Sequence, residues 1–213
     1  MANGFDLGNA ILESPLVTET PLPRDDSDAA LVKASQQGHT DAFGQLYQRY
    51  ARMVHGILLA KVPRPEVEDL VHEVFLRALP RLGGLREASR FGAWLAAITR
   101  NMANDYYRQP QVQIERCDDS AEVSASAAPD EQAQTREAAE ILESIRGLPE
   151  AYRETLILRL VEGMTGPEIA AKTGLSHGSV RVNLHRGMQQ LRDKLGRTRR
   201  TGESEQKSMS SEQ

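Results

Sequence analysis

The sequence has few of the residues that stabilise secreted, zinc-binding or membrane-spanning proteins. Cys117 is the only cysteine among 213 residues, which excludes an internal disulfide and a cysteine-based zinc site and fits a reducing cytosol. Aromatic residues make up 5%, which argues against an aromatic-rich β-sandwich. No apolar run approaches the ~20 residues that cross a bilayer. Residues 1–23 contain no Lys or Arg, so we expect no signal peptide and a cytoplasmic protein.

The charge of the chain is unevenly distributed. The formal net charge is -4, which is unusual for a protein that binds nucleic acid. Residues 1–28 carry six acids against one base, and residues 115–143 carry nine acids against two bases. Residues 176–200, in contrast, carry seven bases against one acid. This basic segment is the charge pattern expected of a phosphate-binding surface, although a solvated helix face with a basic tail has the same composition.

Three segments are too polar to form a packed core. We predict disorder at 1–26, a flexible acidic linker at 109–136 and a disordered tail at 196–213. These segments cannot bury enough apolar surface to offset an ordering cost of ~1–2 kcal/mol per residue. They separate two folded parts, which we place at 27–108 and 137–195.

The spacing of apolar residues predicts an all-α fold, with two small helical domains joined by the acidic linker. Apolar residues recur three and four positions apart, as they do on the buried face of a helix. Ser27 and Thr40 are predicted helix caps, and Pro63, Pro65 and Pro80 are predicted helix ends. The predicted core of the first domain includes Leu46, Tyr50, Ile57, Val71, Val74, Phe75, Phe91, Trp94, Leu95 and Ile98.

Residues 165–186 have the pattern of a helix-turn-helix. A short helix begins near Thr165 and Pro167, Gly174 supplies a turn, and Ser176 caps a longer helix. The outer face of the longer helix is polar or basic apart from Val182, and it consists of His177, Ser179, Arg181, Val182, Asn183, His185 and Arg186. A helix of this kind fits the major groove of DNA, where Arg pairs with guanine and Asn with adenine. An ordinary pair of antiparallel helices with a charged surface is the alternative.

Two further motifs carry a resemblance to a known family. Residues 69–75 (DLVHEVF) and 91–108 (FGAWLAAITRNMANDYYR) resemble conserved region 2 of the extracytoplasmic-function (ECF) group of bacterial RNA polymerase sigma factors. Residues 147–159 (GLPEAYRETLILR), with the helix-turn-helix that follows, resemble region 4 of the same group. The likeness covers about 27–195, with an acidic linker between the two regions as in the family.

The resemblance implies a set of binding residues in each domain. In region 2 it implies contact with the polymerase clamp through Asp69, His72, Glu73 and Phe75, with His72 standing where the family usually has Gln. It further implies capture of a flipped minus-ten base by the loop at about 83–90, and contact of Arg100 and Asn101 with the opening strand. In region 4 it implies minus-thirty-five contacts by Arg181, Val182, His185 and Arg186, with Arg159 on the DNA backbone. Ser179 and Asn183 join this set from the exposed face of the helix.

The resemblance therefore implies a sigma factor, which binds core RNA polymerase at its clamp and flap, recognises and helps to melt promoter DNA, and serves a stress or envelope-response regulon. It also implies an anti-sigma partner. We expect no catalytic residue, cofactor or metal. A freestanding helix-turn-helix regulator is the main alternative, and it predicts DNA binding without polymerase. A small helical enzyme is the second alternative, but the five histidines have no metal-binding spacing and no phosphate loop or nucleophile elbow is present.

Overall fold

The computed structural model describes the backbone at residues 27–108 and 129–209, and the side chains at 27–108 and 136–196. Every regular element in these ranges is helical, which confirms the predicted all-α class. The predictions for 1–26, for 109–128 with Cys117, and for 210–213 lie outside the described residues. Within the described ranges, no helix combines the length and the apolar character needed to cross a membrane.

The first domain consists of four α-helices, α1 (Asp28–Gln36), α2 (Thr40–Leu59), α3 (Val67–Ala78) and α4 (Phe91–Tyr106). Three short 3-10 turns connect them, at Arg64–Glu66, Leu79–Gly84 and Ala88–Arg90. The Ser27 hydroxyl accepts a hydrogen bond from the Ala30 amide at 3.2 Å, as predicted for a helix cap. His39, however, precedes α2, so Thr40 is its first residue rather than its cap. The region around Gly83 and Gly84, predicted as a loop, is a 3-10 turn.

The second domain contains α5 (Pro129–Arg146), α6 (Glu150–Leu160), α7 (Gly166–Thr173) and α8 (His177–Met209). Two of these helices are longer than predicted. The linker was expected to extend to residue 136, but α5 begins at Pro129, a residue type favoured at the first helical position. The tail was expected to be disordered from 196, but α8 continues to Met209. Residues 197–209 contain no proline and several Arg, Glu, Gln and Lys, which are good helix formers.

Three local signals set the start of α7 and the turn between α7 and α8. Thr165 accepts a hydrogen bond from the Glu168 amide, and the Glu168 carboxylate accepts one from the Thr165 amide, forming a capping box. Gly174 ends α7 with φ of 75°, a left-handed conformation that favours glycine. The Ser176 hydroxyl then accepts a hydrogen bond from the Ser179 amide at 3.1 Å and starts α8. The predicted helix-turn-helix is therefore present.

The two domains pack directly against each other. Helix α6 lies against α2, and α7 lies against α4. Their buried apolar side chains form one continuous cluster, in which Ile57, Leu58 and Leu95 of the first domain and Leu156 and Leu158 of the second are each fully buried. The sequence did not indicate whether the domains associate, and in this structure they do.

Candidate nucleic-acid interface

Helix α8 presents the face that the sequence predicts for DNA contact. Val180 and Leu191 are buried and anchor the helix to the domain. On the opposite side Ser179, Arg181, Val182, His185 and Arg186 are exposed, and Asn183 is half-buried. Val182 is 42% exposed, a high value for an apolar side chain. The structure therefore brings these predicted residues together on the first three turns of one helix.

Arg159 has a different setting, at the end of α6. Its side chain is exposed, but its Nη1 donates a hydrogen bond to the Met164 carbonyl oxygen at 3.2 Å. This bond ties α6 to the segment that enters the helix-turn-helix. Arg159 is thus close to α7 and also has a structural role that the sequence did not reveal.

The two residues predicted for the opening strand lie side by side on α4 but differ in their surroundings. Asn101 is exposed. Arg100 faces the second domain, where its Nε and Nη2 donate to the two carboxylate oxygens of Glu154 at 2.9 and 2.7 Å. The Glu154 side chain is only 10% exposed. This hydrogen bond raises the pKa of Arg100 and so favours the charged guanidinium group.

Helix α1 contacts the segment at about 83–90, which is predicted to capture a flipped base. Gln36 Nε2 donates hydrogen bonds to the carbonyl oxygens of Leu82 and Leu85, each at 2.9 Å. Leu82 is buried, whereas Arg86 on the following turn is exposed. Sequence reasoning missed Gln36, because a polar residue at the end of a helix gives no signal of a partner 46 residues away.

The predicted polymerase-binding residues on α3 do not share one surface. Asp69 and His72 are exposed, and Glu73 is half-buried and paired with Arg77. Phe75 was predicted to contact the polymerase, but the structure places it in the core. It is 3% exposed, and its ring packs on Tyr47 with ring centres 4.5 Å apart. Its spacing had already placed it on the core face of the helix.

Two leucines that the sequence analysis did not select extend the exposed face of α3. Leu76 is 70% exposed and Leu79 is 47% exposed. Leu76 follows Asp69, His72 and Glu73 at helical spacing, outside the register of the buried residues. That mismatch of register was the available signal. Exposed leucines beside charged residues are typical of a surface that binds another protein.

The side chains of the described residues contain no group of three or more His, Cys, Asp or Glu placed to hold a metal ion.

Comparison with family models matches each domain separately. A model for sigma-70 region 2 matches residues 46–112, and a model for sigma-70 region 4 matches residues 138–191. The fold, the helix-turn-helix and these matches define a sigma factor.

Comparison with characterised proteins narrows this class. The ECF RNA polymerase sigma factor BldN of Streptomyces coelicolor is 33% identical over 179 residues, 79% of this chain and 67% of the relative. RNA polymerase sigma factor CarQ of Myxococcus xanthus is 34% identical over 163 residues, 76% of this chain and 93% of the relative. The ECF sigma-E factor of Haemophilus influenzae is 30% identical, covering 79% of this chain and 95% of the relative. This chain belongs to the ECF group of RNA polymerase sigma factors.

A solved structure has a similar fold. CnrH, determined in complex with the cytosolic domain of CnrY, matches with a TM-score of 0.57 and 27% identity. The match covers 81% of this chain and 98% of CnrH. These comparisons do not favour a freestanding regulator, the alternative that the helix-turn-helix alone left open.

Proposed function

We propose that this sigma factor is a non-catalytic, cytoplasmic specificity subunit, and that its two domains contact the minus-ten and minus-thirty-five elements of one promoter. The observation that carries this proposal is the exposed basic face of α8, on a helix-turn-helix joined to a second domain of sigma type. No step of bond making by this chain is required, because the polymerase performs the chemistry.

Helix α8 supplies the minus-thirty-five contacts. Its first turns carry Arg181 and Arg186 for guanine or phosphate, and the half-buried Asn183 for adenine. Val182 offers an apolar side chain to a thymine methyl group. The polar Ser179 and His185 complete the surface, and Arg159 near the start of α7 contacts a backbone phosphate. Each good bidentate pair discriminates against the wrong base by ~1–3 kcal/mol.

The first domain supplies the minus-ten contacts. The segment at 83–90, which Gln36 fixes on α1, receives an extruded base, and unpairing that base costs a few kcal/mol that pocket contacts offset. Asn101 and Arg100 follow the separated strand along α4. Arg100 can do so only when it leaves Glu154.

The exposed face of α3 supplies the contact with the polymerase clamp. Asp69, His72 and Glu73 provide polar groups, and Leu76 and Leu79 provide apolar surface. Phe75 supports this face from the core rather than touching the polymerase. A second contact, of the second domain with the polymerase flap, completes the assembly.

An anti-sigma protein is the further partner that we propose, together with a stress or envelope-response regulon. The structure of the similar protein CnrH was determined in complex with the cytosolic domain of CnrY, and this supports a protein partner for the present chain.

The decisive experiment is transcription in vitro from fragmented genomic DNA with core polymerase. We expect added sigma factor to produce transcripts whose start sites share two upstream sequence elements. The variant Leu76→Asp should lose core binding and transcription, whereas Lys33→Asp, an exposed position on α1, should retain both. Transcripts that are the same with and without the protein would contradict the proposal.

A further inference from the structure

The connection between α3 and α4 contains a short stretch of exposed backbone without side chains. Gly83 and Gly84 are the only two adjacent glycines in the sequence. Both are exposed, and a Cβ atom at either position would have nothing within 4 Å. Neither glycine has a positive φ, so the turn itself does not require them. This pair, which we call the glycine platform, leaves the backbone open to close approach by a flat molecule.

Gln36 at the end of α1 holds both sides of the glycine platform. Its Nε2 donates hydrogen bonds to the carbonyl oxygens of Leu82 and Leu85, which flank the two glycines, each at 2.9 Å. A side-chain amide nitrogen carries two hydrogens, so Gln36 uses both of its donors on this turn. The Leu82 carbonyl oxygen also accepts a hydrogen bond from the Leu85 amide at 3.0 Å. These three hydrogen bonds fix the backbone on either side of the platform.

The turn at Leu79–Gly84 depends on contacts from outside it. It is a 3-10 helix of 6 residues, and such helices rarely exceed three or four residues because their hydrogen-bond geometry is poor. Leu82 is 2% exposed and anchors the turn to the core. Gln36 supplies the polar anchor. Loss of the Gln36 donors should therefore loosen the platform, while Leu82 keeps the segment attached to the domain.

Helix α1 is a firm support for Gln36, because the other end of the helix is fixed on α2. Arg49 Nη1 and the Tyr50 hydroxyl donate to the two carboxylate oxygens of Asp28 at 3.0 and 2.6 Å. Leu31 and Val32, in the next turn of α1, are buried. A binding surface is held most precisely when its supporting side chains stand on rigid elements of this kind.

Two exposed arginines flank the glycine platform. Arg81 lies two residues before the first glycine, and Arg86 lies two residues after the second. A guanidinium group binds two phosphate oxygens at once. The acid of this segment, Glu87, lies 2.5 Å from Arg90 Nε, and this ion pair weakens its repulsion of a phosphate. The segment therefore suits a nucleic-acid strand whose base lies over the glycines and whose phosphates lie on either side.

We propose that the glycine platform is the surface on which an extruded minus-ten base lies, and that Gln36 is a positioning residue that holds this surface in place before DNA binds. A preformed platform avoids an ordering cost at the moment of binding. More of the contact energy then offsets the cost of unpairing the base. This inference rests on the proposed function, because that function assigns the segment at 83–90 to an extruded base.

Two changes separate the platform from its support. Gln36→Glu keeps the size of the side chain but replaces the donating nitrogen with an oxygen, which repels the two carbonyl oxygens. Gly84→Leu places a side chain over the platform, where it has room without displacing a neighbour. The controls are Gln37→Glu, the same change at the next exposed position, and Gly44→Leu, at an exposed glycine of α2 that also has nothing within 4 Å of its Cβ position.

Hydrogen exchange of the Leu85 amide in the full chain measures the support. Gln36→Glu should lower the protection factor of this amide about tenfold, because two hydrogen bonds that hold the turn are lost. Gly84→Leu, Gln37→Glu and Gly44→Leu should keep the protection of wild type.

The affinity of the holoenzyme for forked promoter DNA measures the base contact. The fork carries the minus-ten element found by transcript mapping as an unpaired non-template strand, and an abasic residue replaces each of its bases in turn. For wild type, we expect one position at which loss of the base lowers the affinity at least about fivefold.

In Gln36→Glu and in Gly84→Leu, the loss of affinity at this abasic position should shrink to less than about twofold, whereas Gln37→Glu and Gly44→Leu should keep the full loss. A residue that merely stabilises the fold would lower the affinity for every fork alike and would leave this difference unchanged.

The proposal is overturned if the Leu85 amide has the same protection in Gln36→Glu as in wild type, or if either variant keeps the full loss at the abasic position. A wild-type holoenzyme that binds the fork but responds to no abasic position also overturns it. If the wild-type chain neither binds core polymerase nor directs it to the fork, the proposed function itself fails. The exchange measurement needs no polymerase and still decides whether Gln36 holds the turn.

Discussion

The guanidinium group of Arg100 can bind either a carboxylate or a phosphate, so Glu154 and the DNA strand are alternative partners for it. The planar fork of arginine binds two oxygens at once, whereas lysine acts as a point charge. The Glu154 side chain is 10% exposed, so removal of Arg100 leaves a nearly buried carboxylate without this partner. We therefore expect Arg100→Ala to weaken both the contact between the domains and the binding of the separated strand.

Arg186 provides a test of the minus-thirty-five surface. We expect Arg186→Ala to weaken promoter binding by the holoenzyme and to reduce the slope of log affinity against log salt concentration by about 1, because one phosphate contact is lost. The measurement is a titration of promoter DNA at several salt concentrations. Lys33→Ala removes the same charge from the exposed surface of α1 and is the control. A slope unchanged by Arg186→Ala would place this residue away from the DNA.

His55 makes the contact between the two domains sensitive to pH. Its Nδ1 lies 2.5 Å from Glu162 Oε1, and this hydrogen bond raises the pKa of His55. Glu68 of α3 also faces the ring at 3.6 Å and favours the charged form. The positive charge of Arg64 disfavours the charged form of His55. Arg52 of α2 lies 3.9 Å from the Glu162 carboxylate and is a second partner for it.

The pKa of His55 is higher in the folded protein than in the unfolded chain. The His55–Glu162 pair therefore stabilises the folded protein fully below the ordinary histidine pKa of about 6.5. The free energy of unfolding should therefore fall as the pH rises from there through the raised pKa. Urea unfolding between pH 6 and 9 measures this loss. His55→Gln should remove this part of the pH dependence, and equal pH profiles for wild type and variant would contradict the role of His55.

Individual residues differ in how far the sequence predicts them. The face of α8 follows from helical spacing alone, because Val180, Leu184 and Leu191 mark its inner side. Helical spacing also predicts that Phe75 lies in the core, and the structure confirms this burial. The resemblance instead implied that Phe75 contacts the polymerase. The partners of Arg100 and Gln36 are 54 and 46 residues away, and no local pattern encodes such contacts.

Helix α7 depends on its cap more than the longer helices do. It has eight residues, and isolated helices shorter than ~12–15 residues are marginal in water. We expect Thr165→Ala to reduce the free energy of unfolding by about 1 kcal/mol, since the side-chain acceptor for the Glu168 amide is lost. Chemical denaturation measures the change.

Thr165→Ser retains the hydroxyl and is the control for this cap. It should retain most of the stability of wild type. Equal stability of Thr165→Ala and wild type would show that the capping box does not support the helix-turn-helix.

The ends of helices were the least predictable elements. Gly174 and Ser176 delimit the turn sharply, because one requires a left-handed conformation and the other binds an amide of the next helix. The start of α5 has only Pro129 as a signal, and the end of α8 has none. There the residues are polar helix formers, and their composition indicates neither a cap nor a packed face.

The association of the two domains is a property of the whole molecule that the sequence analysis left open. Gly56 and Gly92 lie inside helical patterns, where a glycine can have a packing reason, but Gly44 lies in the same helix as Gly56 and faces open space. The pattern does not say what approaches. Only the structure identifies Leu158, Glu162 and the carbonyl of Lys172 as the neighbours.

The shared core predicts that both domains unfold together. Trp94 is the only tryptophan in the chain and lies in the first domain, so its fluorescence follows that domain, whereas far-ultraviolet circular dichroism follows all helices. We expect the two signals to give the same urea midpoint in wild type, because the domains stabilise each other across the interface.

Gly56→Gln should separate these two midpoints, since it opens the contact with Leu158 while leaving the core of each domain in place. Gly44→Gln changes the same helix at a position facing open space and should keep them coincident. Separate midpoints already in wild type would mean that the interface contributes little to stability.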